Sequence, residues 1–100
     1  MSSNGGAAIG QTIKILIVED SATARQLLCT IIGLDPQLQV CGLADNGQQA
    51  VNLARSLRPD LILMDIEMPI LNGFEATKQI MAERPTPIIV VSSYEAVREV

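Results

Sequence analysis

Residues 61–65 read Leu-Ile-Leu-Met-Asp, four apolar residues followed by a carboxylate. A second apolar run, Ile13 to Val18, is also followed by acids, Glu19 and Asp20. Short apolar runs of this kind are typical of strands that are buried on both faces of a parallel sheet. Because parallel strands present their carboxyl ends at one edge, two neighbouring strands would bring these three carboxylates together.

The rest of the chain alternates between strand-like and helix-like segments. Two more strands are predicted, at Gln39–Leu43 and Ile88–Val91. Ser21 is a predicted helix cap, Asp45-Asn46-Gly47 turns into a second helix, and Asn72 is the predicted cap of a third. A fourth helix is expected to begin near Tyr94. This alternation predicts an α/β fold built on a doubly wound parallel sheet.

Composition limits the classes of function. The chain has 100 residues, enough for one domain, and is 48% hydrophobic but only 2% aromatic, which predicts an aliphatic core. Its formal charge is −4 with no histidine, so direct binding of nucleic acid is not expected. No apolar stretch approaches the ~18 residues of a membrane span. We expect residues 1–11 to be a flexible leader and residues 12–100 to form the domain.

The two cysteines, Cys29 and Cys41, lie in separate apolar segments without metal-binding or redox spacing. They are therefore predicted to be buried free thiols, and a reducing cytoplasm is the simplest setting.

The predicted cluster of acids indicates a metal site. Carboxylates packed closely together resist joint ionisation unless a cation lies among them, and oxygen ligands favour Mg²⁺. Glu19, Asp20 and Asp65 are the predicted ligands, with the main-chain oxygen of Glu67 completing the set. The alternative is structural, because acids near the N-terminus of a helix are also stabilised by the helix dipole.

Asp65 and Ser92 are the candidates for chemistry at this site. A carboxylate beside Mg²⁺ could attack phosphorus and form an acyl phosphate, a reaction that needs little beyond positioning and charge neutralisation. Ser92 follows the Ile88–Val91 strand, where its hydroxyl could donate to a phosphoryl oxygen on Asp65. Asp65 could instead cap the following loop, and Ser92 could cap a helix, although Ser93 competes for that role.

Taken together, these residues resemble the receiver domain of bacterial two-component response regulators. The resemblance extends from about Ile13 to Val100 and rests on four motifs in order, Ile17-Val18-Glu19-Asp20-Ser21, Met64-Asp65-Ile66-Glu67-Met68-Pro69, Asn72-Gly73 and Val91-Ser92-Ser93. It implies a flavodoxin-like sheet with strand order 2-1-3-4, in which the fifth strand and fifth helix of the family are missing.

The resemblance also implies roles for the site residues. Asp65 resembles the aspartate that accepts a phosphoryl group from the phosphohistidine of a histidine kinase. Glu19 and Asp20 resemble the acidic pair that holds Mg²⁺, Glu67 the main-chain ligand, and Ser92 the switch hydroxyl. The expected function is a signalling switch that controls an output domain or a partner protein. No catalysis is expected beyond the domain's own phosphoryl transfer and hydrolysis.

Within the family, the segments from Asp65 to Pro69 and from Arg84 to Ser93 are similar to the receiver of chemotaxis protein-glutamate methylesterase. A stand-alone receiver and one attached to a DNA-binding domain are the other possibilities. A methylesterase output domain, if there is one, is not in this chain.

The chain also departs from the family pattern. A receiver carries a lysine on its fifth strand, whereas the lysines here, Lys14 and Lys78, lie on the first strand and third helix. We therefore expect a C-terminally truncated receiver rather than a degenerate one. Without a fifth strand, the Ile88–Val91 strand would be an exposed apolar edge, so self-association or element swapping is expected.

Two other functions remain open at this stage. The missing lysine leaves room for a receiver-like interaction module that does not accept phosphate. A Mg²⁺-dependent nucleic-acid enzyme of the topoisomerase-primase type also places acids after strands, as at Glu19 and at Asp65-Ile66-Glu67. The negative charge makes that second alternative the weaker one.

Overall fold

A computed structural model of the chain describes residues 11–66, 68 and 70–91. Within these residues, strands and helices alternate as predicted. The strands are β1 (Ile13–Val18), β2 (Leu38–Ala44), β3 (Leu61–Asp65) and β4 (Ile88–Val91), and the helices are α1 (Ala22–Ile32), α2 (Gly47–Leu57) and α3 (Gly73–Glu83). Residues 1–10 of the predicted leader and the predicted helix near Tyr94 lie outside the described residues.

The four strands form one parallel sheet in the order β2-β1-β3-β4. This confirms the predicted doubly wound sheet and its 2-1-3-4 strand order. β2 is one residue longer at each end than the predicted Gln39–Leu43. The register pairs Val18 of β1 with both Ala44 of β2 and Met64 of β3, so the carboxyl ends of these strands are level.

Successive side chains of β1 point to opposite faces of the sheet and contribute to two separate apolar cores. Ile15 and Ile17 face α1 and form a cluster with Ile32. Leu16 and Val18 point to the other face, where they join a larger cluster with residues of α2 and α3. The four β1 residues from Ile15 to Val18 are each at most 2% exposed, as expected for a strand covered on both faces. The sheet is therefore the rigid layer from which the residues at its carboxyl edge project.

Each helix begins at a polar cap near that same edge. The Ser21 hydroxyl accepts a hydrogen bond from the Ala24 amide at 3.2 Å. The Asn46 side chain accepts from Gln49 at 2.8 Å, and Asn72 accepts from Glu75 at 3.0 Å. Such caps satisfy amides that have no partner within the helix, and they fix where each helix starts.

The inward face of α3 differs from the sequence prediction. Helical spacing in the sequence predicts an inward stripe of Phe74, Thr77, Ile80 and Met81, but Phe74 and Met81 are 63% and 44% exposed. The buried residues of α3 are Gly73, Ala76 and Ile80. The main neighbour of α3 is α2, and the small residues Gly73 and Ala76 allow close packing on the buried side, while the bulkier Phe74 lies outside.

Cys29 and Cys41 are free thiols, as predicted, but both are only half-buried, so the prediction that they are buried is wrong. Burial raises the pKa of the Cys41 thiol, which keeps it protonated and unreactive near neutral pH. Among the described residues, no helix has the length and apolar character needed to cross a membrane.

Candidate metal centre

Three carboxylates meet at the carboxyl edge of the sheet. Glu19 and Asp20 directly follow β1, and Asp65 is the last residue of the adjacent strand β3. One ligand oxygen from each of Glu19, Asp20 and Asp65 lies within 4.8 Å of the others. The sequence-predicted acids of the two strands are therefore brought together in the fold.

Glu19 is held in place by its backbone as well as its side chain. It is only 8% exposed, and its amide donates to the Ala44 carbonyl at 2.9 Å, which extends the β1–β2 pairing by one residue. Its carboxylate accepts a hydrogen bond from the Ser21 amide at 3.0 Å. The Arg25 guanidinium donates to the Glu19 carbonyl at 2.8 Å. The segment between β1 and α1 is thus fixed from both sides.

The electrostatics of the cluster disfavour full ionisation. Burial raises the pKa of Glu19 above its ordinary value of 4.5, and the negative charge of Asp65 raises it further. Hydrogen bonds to Asp20 and Asp65 act in the same direction, while the Ser21 amide opposes them. A cation among the three carboxylates would remove this repulsion, because opposite charge favours the ionised form.

Asp65 is the last residue of β3 and precedes the loop that leads to α3. Its side chain is buried, with only 3% of the residue exposed. The chain returns to it at the start of α3, where the Gly73 amide donates to the Ile66 carbonyl at 2.9 Å. A Cβ atom on Gly73 would come within 2.6 Å of the Asp65 carbonyl oxygen, so only glycine permits this approach. The loop that follows Asp65 is therefore anchored next to the carboxylate.

The residues present fit a hard divalent cation. The cluster offers only carboxylate oxygens, the ligands that Mg²⁺ prefers, and two of its members are buried where their charges repel. Glu19, Asp20 and Asp65 would hold the ion. The two other predicted site residues, Glu67 and Ser92, lie outside the described residues. Within the described residues, β4 ends at Val91, and Val91 pairs with Asp65 of β3.

Comparison with known proteins assigns the family. A family model described as the response regulator receiver domain matches residues 15–100. The chain belongs to this family. It is 54% identical over 83 residues to protein-glutamate methylesterase/protein-glutamine glutaminase 3 of Anaeromyxobacter dehalogenans, covering 83% of this chain and 24% of the relative. A Myxococcus xanthus relative of the same description is also 54% identical, over 81% of this chain and 23% of its own length.

Solved structures agree with this assignment. The response regulator domain of Thermotoga maritima CheB superposes with a TM-score of 0.81 at 51% identity, covering 83% of this chain and 62% of that one. CheY in the CheX–CheY–BeF3–Mg²⁺ complex of Borrelia burgdorferi gives a TM-score of 0.75 at 25% identity, over 90% and 71% of the two chains. The predicted similarity to the methylesterase receiver is confirmed. The receiver spans about a quarter of the length of the curated relatives it matches.

Of two further contributors to the site, Arg25 was missed in the sequence analysis, whereas Gly73 belongs to the Asn72-Gly73 motif named there. Arg25 fixes the Glu19 carbonyl, and Gly73 allows α3 to start against Asp65. For Arg25 the sequence holds no clear signal, since an arginine on a helix is usually solvated. For Gly73 a signal exists, because glycine is a poor first residue for a helix and its presence there indicates a close approach.

The raised pKa of Glu19 predicts how stability depends on pH. Without metal, the folded receiver holds a proton on Glu19 more tightly than the unfolded chain does. The contribution of Glu19 to the free energy of unfolding should therefore be fully present below its ordinary pKa of 4.5 and should be lost as the pH rises from there through the raised pKa. Mg²⁺ competes with this proton, so its affinity should weaken as the pH falls over the same interval.

Urea unfolding in EDTA at several pH values checks the prediction, with Glu19→Gln as the control because it cannot titrate. The variant should show a flatter dependence above about pH 5. Equal slopes for the two proteins would contradict the assignment of this pH dependence to Glu19.

Proposed function

We propose that Asp65 accepts a phosphoryl group in a Mg²⁺-dependent reaction, and that the phosphorylated receiver controls an output domain or partner. The observation that carries this proposal is the convergence of Glu19, Asp20 and Asp65 within 4.8 Å at the edge of the sheet. Membership of the receiver family supports phosphoacceptor signalling in general. The similarity to a CheY described with BeF3 and Mg²⁺ supports the metal.

The chemistry follows from the positions of the residues. A carboxylate oxygen of Asp65 attacks phosphorus, the bond from phosphorus to the histidine nitrogen breaks, and its electron pair stays on the imidazole. Bound Mg²⁺ would neutralise charge on the phosphoryl oxygens. Glu19 and Asp20 hold the ion, and the buried setting of Asp65 limits access of water. The proposed donor is a phosphohistidine of a histidine kinase.

Glu67 and Ser92 complete the proposal. Glu67 would supply its main-chain oxygen to the metal, and the Ser92 hydroxyl would donate to a phosphoryl oxygen on Asp65. Ser92 is the next residue after β4, whose last member is paired with Asp65. A hydroxyl at Ser92 would therefore couple the phosphorylation of Asp65 to β4, which is the edge strand of the described sheet.

The output proposed for this receiver is a protein-glutamate methylesterase domain, because several relatives at about half identity carry that description. A chemotaxis system is the corresponding context. The proposed location is the cytoplasm, where the two free thiols, Cys29 and Cys41, would stay reduced.

The test is intact mass after incubation with a small acyl phosphate and Mg²⁺. We expect a single phosphoryl adduct on the wild-type chain and on Asp45→Asn, and none on Asp65→Asn. Asp45 is a matched control because it is an exposed acid at the same edge of the sheet, outside the cluster. If wild type forms no adduct and does not bind Mg²⁺, this chain is a receiver-like interaction module and the proposal fails.

We also propose that this chain self-associates through β4. Among the described strands β4 pairs only with β3, so no described strand lies along its other edge, and Ile89 and Val90 are 52% and 51% exposed. An open apolar edge strand offers unpaired backbone groups to a second chain. Element swapping between two copies is a related form of the same proposal.

Ile89→Lys should shift the chain toward monomer in sedimentation equilibrium at high concentration, since a charge on an edge strand disfavours pairing. Leu34→Lys is the control, because Leu34 is 80% exposed but lies beyond the end of α1 rather than on a strand. A wild-type chain that stays monomeric at every concentration would exclude self-association. Equal effects of the two lysines would exclude β4 as its site.

A further inference from the structure

Helices α2 and α3 start in the same unusual way. Each has an asparagine cap followed by a buried glycine as the first helical residue, Asn46-Gly47 and Asn72-Gly73. Neither glycine has a positive φ, so the backbone conformation does not require glycine at either position. Alanine is the better helix former. The reason for glycine must therefore be the space around it.

Gly47 lies directly against the loop that follows Asp65. A Cβ atom built on it would overlap the carbonyl oxygen of Leu71 and lie 2.6 Å from the Leu71 carbonyl carbon. These are backbone atoms, which cannot move aside by a change of rotamer. Leu71 itself is half-buried and packs against the core cluster between the sheet and α2 and α3. The N-terminus of α2 therefore limits where Leu71 can lie.

Leu71 is connected to Asp65 by a short path. Asn72 and Gly73 follow Leu71, and the Gly73 amide donates a hydrogen bond to the Ile66 carbonyl at 2.9 Å. Gly73 in turn lies so close to Asp65 that its own Cβ would be 2.6 Å from the Asp65 carbonyl oxygen. A backbone shift at Leu71 would thus reach Asp65 through Asn72 and Gly73, by the hydrogen bond to the adjacent Ile66 and by the close contact of Gly73 with the Asp65 carbonyl.

We propose that the N-terminus of α2 seats the loop after Asp65, and that Gly47 is a positioning residue for phosphoryl transfer. This inference rests on the proposed function of Asp65. Gly47 touches neither metal nor phosphoryl group, and acts through Leu71. Because a misplacement of about 1 Å can reduce a rate about 100-fold, a β-carbon at Gly47 should slow phosphorylation strongly.

The experiment compares Gly47→Ala with Gly42→Ala in the full chain. Gly42 is the matched control because its added Cβ would meet only the side-chain ends of Leu57 and Leu16, at 2.6 and 3.3 Å. At saturating acyl phosphate and Mg²⁺, the rate for Gly47→Ala should fall about tenfold to 100-fold. The Mg²⁺ concentration for half-saturation should change less than the rate, because two of the proposed ligands, Glu19 and Asp20, follow β1 and do not lie on this loop. Gly42→Ala should keep nearly the wild-type rate.

A wild-type rate in Gly47→Ala, or an equal loss in Gly42→Ala, overturns the inference. If Gly47→Ala does not fold, Leu71→Ala replaces it, because it removes the side chain that packs Leu71 against the core cluster and so loosens the position of its backbone next to Gly47. A rate loss in Leu71→Ala then supports the inference, and an unchanged rate overturns it.

Amide hydrogen exchange at Gly73 separates this inference from the proposed function. Exchange should be faster in Gly47→Ala than in Gly42→Ala, whether or not the chain accepts a phosphoryl group. If wild type forms no adduct, the proposed function fails, and this exchange alone decides whether α2 seats the loop. Unchanged exchange in Gly47→Ala would overturn the seating.

Discussion

Asp65→Asn should make the metal-free receiver more stable and the Mg²⁺-loaded receiver less stable than wild type. Without metal, the substitution removes one charge from a cluster in which burial and Asp65 together raise the pKa of Glu19. Relief of this repulsion should raise the free energy of unfolding in EDTA. Asparagine keeps the size of the side chain, so packing should be little changed.

With Mg²⁺ the order should reverse. A ligand that binds only the folded state stabilises it by about 2.7 kcal/mol at 100 times its dissociation constant. Wild type should gain this amount, whereas Asp65→Asn has lost one of its three carboxylates and should gain much less. The free energies of unfolding of the two proteins, measured by urea in EDTA and then in Mg²⁺, should therefore cross.

Asp45→Asn is the control for this crossing, since Asp45 is exposed and lies outside the cluster of Glu19, Asp20 and Asp65. It should follow wild type in both buffers. If Asp65→Asn is less stable in EDTA and gains as much from Mg²⁺ as wild type does, the three carboxylates do not form the metal site.

The elements and the metal cluster could be predicted because each depends on local sequence. The apolar runs before Glu19 and Asp65 indicate buried strands, and parallel strands of one sheet necessarily share an edge for their carboxyl ends. The caps were equally clear, since Ser21 and Asn72 precede segments of helical periodicity. These inferences needed no information about how the helices pack.

The orientation of the helices could not be predicted as well. In α1, the residues Leu27, Leu28, Ile31 and Ile32 form two adjacent apolar stripes, and the sequence gives no reason to prefer one. The structure buries Ile32 and leaves Leu27 and Ile31 59% and 52% exposed. Which stripe faces inward depends on how closely a helix can approach the sheet, and that is a property of the packed fold.

The close contacts of Gly47 and Gly73 were missed for the same reason. Each glycine faces a segment that is distant along the chain or across a turn, at Leu71 and at Asp65. A sequence shows that glycine is present but not which atoms lie next to it. The local sign of these contacts is the Asn-Gly pair that starts both helices. Alanine would favour a helix more than glycine does, so glycine at these positions indicates that there is no space for a side chain.

Ile62→Ala should destabilise the receiver more than any exposed substitution on the same sheet. Ile62 is fully buried in β3, paired with Leu16 on one side and Ile88 on the other, and it belongs to the core cluster beneath α2 and α3. Truncating it removes apolar contacts and leaves a cavity that a sheet fixed on both sides cannot close. The expected loss in the free energy of unfolding is about 3–4 kcal/mol.

Ile89→Ala is the matched control, because the same side chain on the neighbouring strand β4 is 52% exposed. Truncation there should cost about 1 kcal/mol or less, since half of the area is already in water. Both variants should be compared by urea unfolding in saturating Mg²⁺ at a concentration where the chain is monomeric.

The Mg²⁺ affinity of folded Ile62→Ala gives a second readout, because Ile62 and Asp65 lie on the same strand. If stability falls but this affinity does not change, β3 keeps its position although its core is less well packed. Equal costs for the two variants would mean that β3 is not the central buried strand.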